Sequence, residues 1–464
     1  MRYMGRAASL SLLVLGACLA IGCSEKSTNP ENHPPPSTSK HLWSHRFGDG
    51  DAQFGKALAV DASGNVVVAG YFEGTVDFGG GELTSAGSAD VFVAKFDSAG
   101  AHLWSKRFGD GNFQSANSVA VDASGNVIVT GSFSGTIDFG GGALTSAGNF
   151  DIFVAKFGSD GTHIWSKRFG DWDNQEPYAV AVDAAGNVII TGYFESYVDF
   201  GGGPLECAGA PDIFVAKLGP DGAHLWSKRF GDNGSQLSRS VAVDALGNVF
   251  ITGFFWGSFD FGGGALTCAG GEDIFIAKFG SDGAHRWSKR FGDMDYQEAN
   301  AVAVDATGNV IVTGWFFGAV DFGGGALTSA DSMDIFIAEF GSDGAHLWSK
   351  RFGDGDDQEA KAVAADALGD VIVTGSLEGT VDFGGGALRS AGAKDIFVAK
   401  FGSDGAYLWS ERFGDGSDQM AYAIAADNGG NALVAGYFAG AVDFGGGALT
   451  SAGGYDVFLA KFGP

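Results

Sequence analysis

The acidic loop words that recur along this 464-residue chain are the first residues whose types and spacing could do chemistry. GDGDAQ (Gly48–Gln53) and GDGDDQ (Gly353–Gln358) carry Asp-x-Asp-x-Gln, the oxygen spacing with which a calcium loop begins. An EF-type loop continues with glycine at its sixth position and glutamate at its twelfth. Phe54 and Glu359 occupy the sixth position here, and the equivalent GDNGSQ (Gly231–Gln236) loses the second carboxylate. Turn capping by the aspartate side chains is therefore the favoured role, calcium stays open as the alternative, and no resident cofactor is expected. Asp61 and Asp122 open DxSGN hairpins as Asx turns, or else ring a channel mouth.

Other reactive residues come in sets rather than singly. His41, His102, His163, His224, His285 and His346 fill one repeated place, so they could meet at a metal only on a symmetry axis. Arg46, Arg107, Arg168, Arg229, Arg290, Arg351 and Arg412 also recur, which points to a structural hydrogen-bond or ion-pair fixture. The FGGG words lack the Lys-Ser/Thr of a phosphate loop. No Ser/His/Asp or Cys/His set stands out as a triad, so catalysis is not expected.

These sets are products of a repeat. Trp43, Trp104, Trp165, Trp226, Trp287, Trp348 and Trp409 lie 61 residues apart, with no insertion or deletion between copies. In one copy, Val119–Asp122, Asn126–Phe133, Asp151–Phe157 and His163–Phe169 are apolar or β-branched runs separated by turn formers, and no helical period appears. Four antiparallel strands repeated seven times predict an all-β protein, a single seven-bladed β-propeller. The repeat region opens with an outer-strand word, His41–Phe47, and ends with the three other strands, the last at Asp456–Phe462. Pairing the two ends completes the seventh blade and leaves no exposed sheet edge.

The word GNVIVTGSFSGTIDFGGG (Gly125–Gly142) resembles the bacterial SBBP-type seven-bladed propeller repeat. AVAVDASGNVIVTG is distantly similar to NHL-type units. The resemblance covers about Lys40 to Pro464 and implies an extracellular or envelope protein with no common enzymatic reaction.

Address and organisation follow from the first residues. MRYMGRAASLSLLVLGACLAIGC resembles a lipoprotein signal with the lipobox Ala20-Ile21-Gly22-Cys23; an ordinary secretory peptide cut nearby is the alternative. The domains expected are a signal peptide over 1–22, a lipidated Cys23 with a Pro/Ser-rich tether over 23–40, and the propeller over 41–464. The expected location is the bacterial envelope, on the outer membrane or cell surface, with a monomer held to the membrane by the N-terminal lipid. A net charge of −27 argues against nucleic acid as a partner.

The copies differ unequally. Turns of the DASGN and GSDGA type barely change, whereas the loops after FGD and the positions after the second strand vary, and both variable sets fall on one face of the disc. On that face Trp172, Tyr193, Tyr197, Phe254, Trp256, Tyr296, Trp315 and Phe317 belong to blades three to five, a set suited to stacking on sugar rings or anchoring a peptide. The expected function is a non-catalytic binding scaffold for a glycan or protein on the membrane-distal face. A structural envelope protein without a discrete ligand is the alternative, and an enzyme with an axial-mouth site is disfavoured because the copies are so alike. Cys207 and Cys268 occupy equivalent places in adjacent units, too far apart for a bridge, and are expected to be free thiols.

Overall fold

The computed structural model describes residues 39–464; the expected signal, Cys23 and nearly all of the tether lie outside the described residues. No helix occurs among the described residues. Strand β1 (Lys40–Phe47) is followed by blade one, in which β2 (Gln53–Val60), β3 (Val66–Phe72), β6 (Asp90–Phe96) and β7 (His102–Phe108) form one antiparallel sheet in that order. Between β3 and β6 runs a two-stranded ribbon, β4 (Thr75–Asp77) with β5 (Glu82–Thr84). The same arrangement recurs through blade six.

Blade seven closes the ring. Its strands Gln419–Ala426, Ala432–Phe438 and Asp456–Gly463 accept β1 as the outer edge, in a register running from Lys40 opposite Gly463 to Phe47 opposite Val457. The other blades have a tight turn where Lys40 meets Gly463. Apolar layers lie between neighbouring blades, which is why the middle strands are apolar on both faces. In the layer joining blades seven and one, Phe47 of β1 packs on Phe96 and Phe78 at 5.3 and 5.0 Å between ring centroids. Fully burying a side chain of that size contributes about 1.5–3 kcal/mol.

Two expectations are corrected. The inner strand begins at the glutamine, as in Gln114–Val121, not at the AVAVD word, so residues such as Lys56 and Asn117 belong to strand rather than loop. The GGGALT segment, one of the turn-former stretches that separate the strand runs in the sequence, holds the ribbon. Its glycines let the ribbon close over the outer-strand histidine: a Cβ on Gly80 would stand 2.3 Å from the His102 ring. His102 Nε2 in turn lies 3.1 Å from Ser105 Oγ, and its strand is the outer one of the blade, away from the inner strands that line the axis.

Candidate functional site

The repeated polar residues hold the scaffold. Each arginine of the RFGD word pairs with the buried aspartate that starts the third strand, as Arg107 does with Asp90 and Arg290 with Asp273 at 2.7 Å. The guanidinium also donates to the carbonyl of the following glycine, 3.0 Å for Arg107 to Gly109. Gly109 has φ +151°, and a Cβ there would collide with Asp90 Oδ1 and Gln114 Oε1 at 2.3 Å, so this glycine cannot change without breaking the fixture. Asp49 of the candidate calcium loop accepts from Gln53 Nε2 at 2.7 Å, Asp51 N at 2.9 Å and Thr75 N at 2.7 Å. Both its oxygens thus serve the loop as caps.

On the opposite, invariant face, Asp61 Oδ1 accepts from Ser63 N and Asn65 N at 2.9 Å, the expected Asx turn. Its Oδ2 pairs with buried Lys95 at 3.0 Å, a partner the sequence reading did not supply. Burial opposes the Asp61 charge, but hydrogen bonds from Asn65 and Lys95 outweigh it and lower the carboxyl pKa. The lysine recurs in every blade except the fifth, where Glu339 faces Asp305. Burial first, then the Asp305 charge, raises the Glu339 pKa to about 7 against a hydrogen bond from Trp348 Nε1 at 2.7 Å.

The eight aromatic candidates separate by exposure. Trp172, Trp256, Tyr296 and Tyr197 are 64%, 53%, 56% and 45% exposed, respectively. Tyr193, Trp315 and Phe317 are half-buried. Phe254 is buried, its ring centre 5.1 Å from the Arg239 guanidinium. Aromatics on this face are not confined to blades three to five: Phe54 packs against Tyr71 and Tyr437 at 4.8 Å, and Tyr437 against Tyr455 at 4.7 Å. Phe113 continues that arc from Tyr71 at 5.4 Å.

The concave site is the axis itself. Because the inner strand starts at the glutamine, its second and fourth residues turn away from the blade core, the alternation expected of a strand buried on one side. The fourth residues are Lys56, Asn117, Tyr178, Arg239, Asn300, Lys361 and Tyr422, and with Glu176, Glu298 and Glu359 they line a cavity of about 320 Å³. A second space of about 280 Å³ continues along the inner strands past Ala57, Ala179 and Ala301. The sequence argument against an axial mouth, that the copies are alike, fails at this level: in inner strands that otherwise repeat an AVAV-like word, these positions carry basic, acidic, amide and phenolic groups.

The groups are organised around the ring. On one side Arg239 lies 4.8 Å from the Tyr178 ring centre and 3.7 Å from Glu298. Burial raises the Glu298 carboxyl to about 7, with Arg239 opposing and Glu272 and Glu359 reinforcing the shift. Burial likewise raises the Glu176 carboxyl. Asn117 donates to Pro177 O at 3.1 Å, and Asn300 to Glu359 Oε1 at 3.0 Å, joining neighbouring blades. On the other side Lys361 pairs with Glu359, and both Lys361 and Lys56 approach Tyr422, at 5.9 and 5.0 Å from its ring centre. Burial and then the Lys361 charge pull the Lys56 pKa down. The signal that could have exposed this site was present in the aligned copies: Q-x-x-x varies within a strand word that is otherwise AVAV-like.

Cys207 and Cys268 are free thiols. Cys207 Sγ donates to Ala210 O at 2.6 Å, and Gly257 N donates to Cys268 Sγ at 3.1 Å, so each serves its own loop.

Together these features define a seven-bladed β-propeller with a structurally fixed frame and a divergent axial mouth. The SBBP beta-propeller repeat model matches residues 225–253, across blades three and four. The chain is 22% identical over 439 residues to the "Uncharacterized WD repeat-containing protein L264" of Acanthamoeba polyphaga mimivirus, covering 73% of this chain and 31% of the relative. It is 25% identical over 189 residues to the "Regulatory protein FlaEY" of Caulobacter vibrioides, covering 39% of this chain and 19% of that protein. The chain thus spans about a third or less of these relatives. Among solved structures it is similar to a chain of the Mitotic Checkpoint Complex, at 9% identity, TM-score 0.47 and 99% coverage of both chains. It is also similar to the WD40 β-propeller domain of Doa1, at 11% identity, TM-score 0.47 and coverage of 92% and 97%.

Proposed function

We propose that this propeller is a non-catalytic binding scaffold of the cell envelope, recognising a glycan or a protein through its varied face. The observation that carries the reading is where the copies diverge. Turns on the invariant face and the Arg–Asp fixtures repeat almost unchanged, while the loops of the other face carry exposed aromatics and the axial mouth carries unlike side chains. Exposed Trp and Tyr on a rigid disc offer large contact area at little entropic cost. The axial carboxylates serve as partners of neighbouring side chains, Glu359 to Lys361 and Asn300, and Glu298 to Arg239. The lipobox ending at Cys23 supports a lipid-anchored, exported chain. Since β1 begins on the invariant face, beside Gly463, a tether leading into it would turn the varied face outward.

The test is a combined Trp172→Ala, Trp256→Ala and Tyr296→Ala variant, probed on a glycan array and in a pull-down from secreted proteins. All three side chains are exposed, so its melting temperature should match the parent. The reading predicts loss of the bound species; retention of every one of them would exclude this patch.

A further inference from the structure

The lining of the axial cavity includes none of the exposed aromatics. Two ammonium groups from different blades, Lys56 Nζ and Lys361 Nζ, approach the same Tyr422 ring. Glu359 neutralises Lys361, but Lys56 makes no ion pair among the described residues. Lys56 also lies 5.7 Å from the Tyr71 ring, and Glu176 attracts it without forming an ion pair. Burial and the Lys361 charge together outweigh that attraction, so a further anion between the two ammonium groups would relieve both.

The far side of the cavity has the opposite character. Glu298 lies 3.7 Å from Arg239 there, the Tyr178 ring stands against the guanidinium, and Glu176, drawn to both Arg239 and Lys56, completes the lining. That side repels a second negative charge on any occupant and accepts hydroxyl or ammonium donors. At about 320 Å³ the space is at the small end of ligand pockets, suited to a molecule the size of one sugar or one amino acid.

We propose that the axial cavity binds a small monocarboxylate, its carboxylate bridging Lys56 and Lys361 beside Tyr422 and its donor-bearing end facing Glu176 and Glu298. Nothing in the closure of the ring demands these residues: Asn117 and Asn300 fill the equivalent position in blades two and five. The shared chemistry is the carboxylate, supplied by a sugar acid or by an amino acid.

Calorimetric titration of the full chain distinguishes the sources. The probes are glucuronate against its neutral amide, glucuronamide, and alanine against alaninamide. The expected result is saturable binding of glucuronate or alanine, at least tenfold weaker for the matching amide. It should fall tenfold or more in Lys56→Met, as expected for loss of a hydrogen bond to a charged group. Lys56→Met removes a repelled ammonium, so its unliganded melting temperature should equal or exceed the parent's; Lys361→Met provides the second variant. The Trp172/Trp256/Tyr296 variant should bind the carboxylate normally, which separates this site from the proposed aromatic platform. No binding of either carboxylate up to about 10 mM, or binding undiminished in both lysine variants, would overturn the proposal.

Discussion

Glu339 offers the sharpest quantitative test of how the blades are stapled together. In six blades a buried lysine pairs with the aspartate of the inner hairpin, as Lys217 does with Asp183 at 2.8 Å, and donates to a carbonyl of the next blade, Ser281 O at 3.2 Å. Blade five puts Glu339, 1% exposed, beside Asp305 instead. A carboxyl whose pKa rises from 4.5 to about 7 on folding costs about 3 kcal/mol once both states are ionised. The sign follows from proton uptake. Between pH 4.5 and 7 the folded state holds a proton that the unfolded state has lost, so stability falls as pH rises through that window. Below it the cost vanishes, and above it the cost is constant. Glu339→Gln removes the titration, and Glu339→Lys restores the pair found in the other six blades. Urea denaturation at pH 8 should show both variants more stable than the parent, by about 2–3 kcal/mol, with the Gln–parent gap shrinking below about 1 kcal/mol at pH 5. A gap that does not change with pH, or a lysine variant less stable than the parent at pH 8, would refute the reasoning.

Further predictions concern closure and the indole bonds. Ser44 and Ala460 are directly opposed across the closing strands; cysteines at both should form an intrachain crosslink visible by mass spectrometry, since opposed residues lie within about 5.5 Å, and failure to form it would contradict the closure. Trp165 Nε1 donates to Pro220 O at 2.9 Å in the next blade, whereas Trp409 Nε1 is buried without a partner because blade seven has a strand junction where the others have that turn. Trp165→Phe should therefore lower stability by about 1 kcal/mol and Trp409→Phe should cost less, as read by denaturation midpoints. Cys207 and Cys268 should both react with a thiol reagent after air oxidation; a loss of both together would show a bridge.

The frame of this protein was legible because its determinants are local and repeated. The 61-residue spacing gave the blade count, and the outer-strand word at His41–Phe47 gave the closing strand that the structure pairs with Asp456–Gly463. The site was harder to see for a definite reason. Gln53 and its counterparts look like loop residues, and the apolar AVAV words catch the eye as the strand. Yet the glutamine is already in the ladder, its amide bonding Asp49 and Glu73 O, so the residues that follow are carried onto the axis. The ribbon was hidden because three consecutive glycines read as a turn, although their role is to pass over a histidine ring. Glu339 was visible as a single charge change from DIFVAKF to DIFIAEF, but its meaning required the Asp305 partner, which lies 34 positions earlier in the chain.

The measurement that bears most directly on the account is to make the fourth residue of the seven inner strands alike. Setting positions 56, 178, 239, 361 and 422 to asparagine, already present at Asn117 and Asn300, removes both lysines of the proposed site and evens out this ring of the axial lining. The account predicts a folded ring with a melting temperature near the parent's and no calorimetric response to glucuronate or alanine. Undiminished binding by this variant would show that the divergent residues at the axis do not serve recognition, and its failure to fold would contradict the claim that ring closure does not demand them.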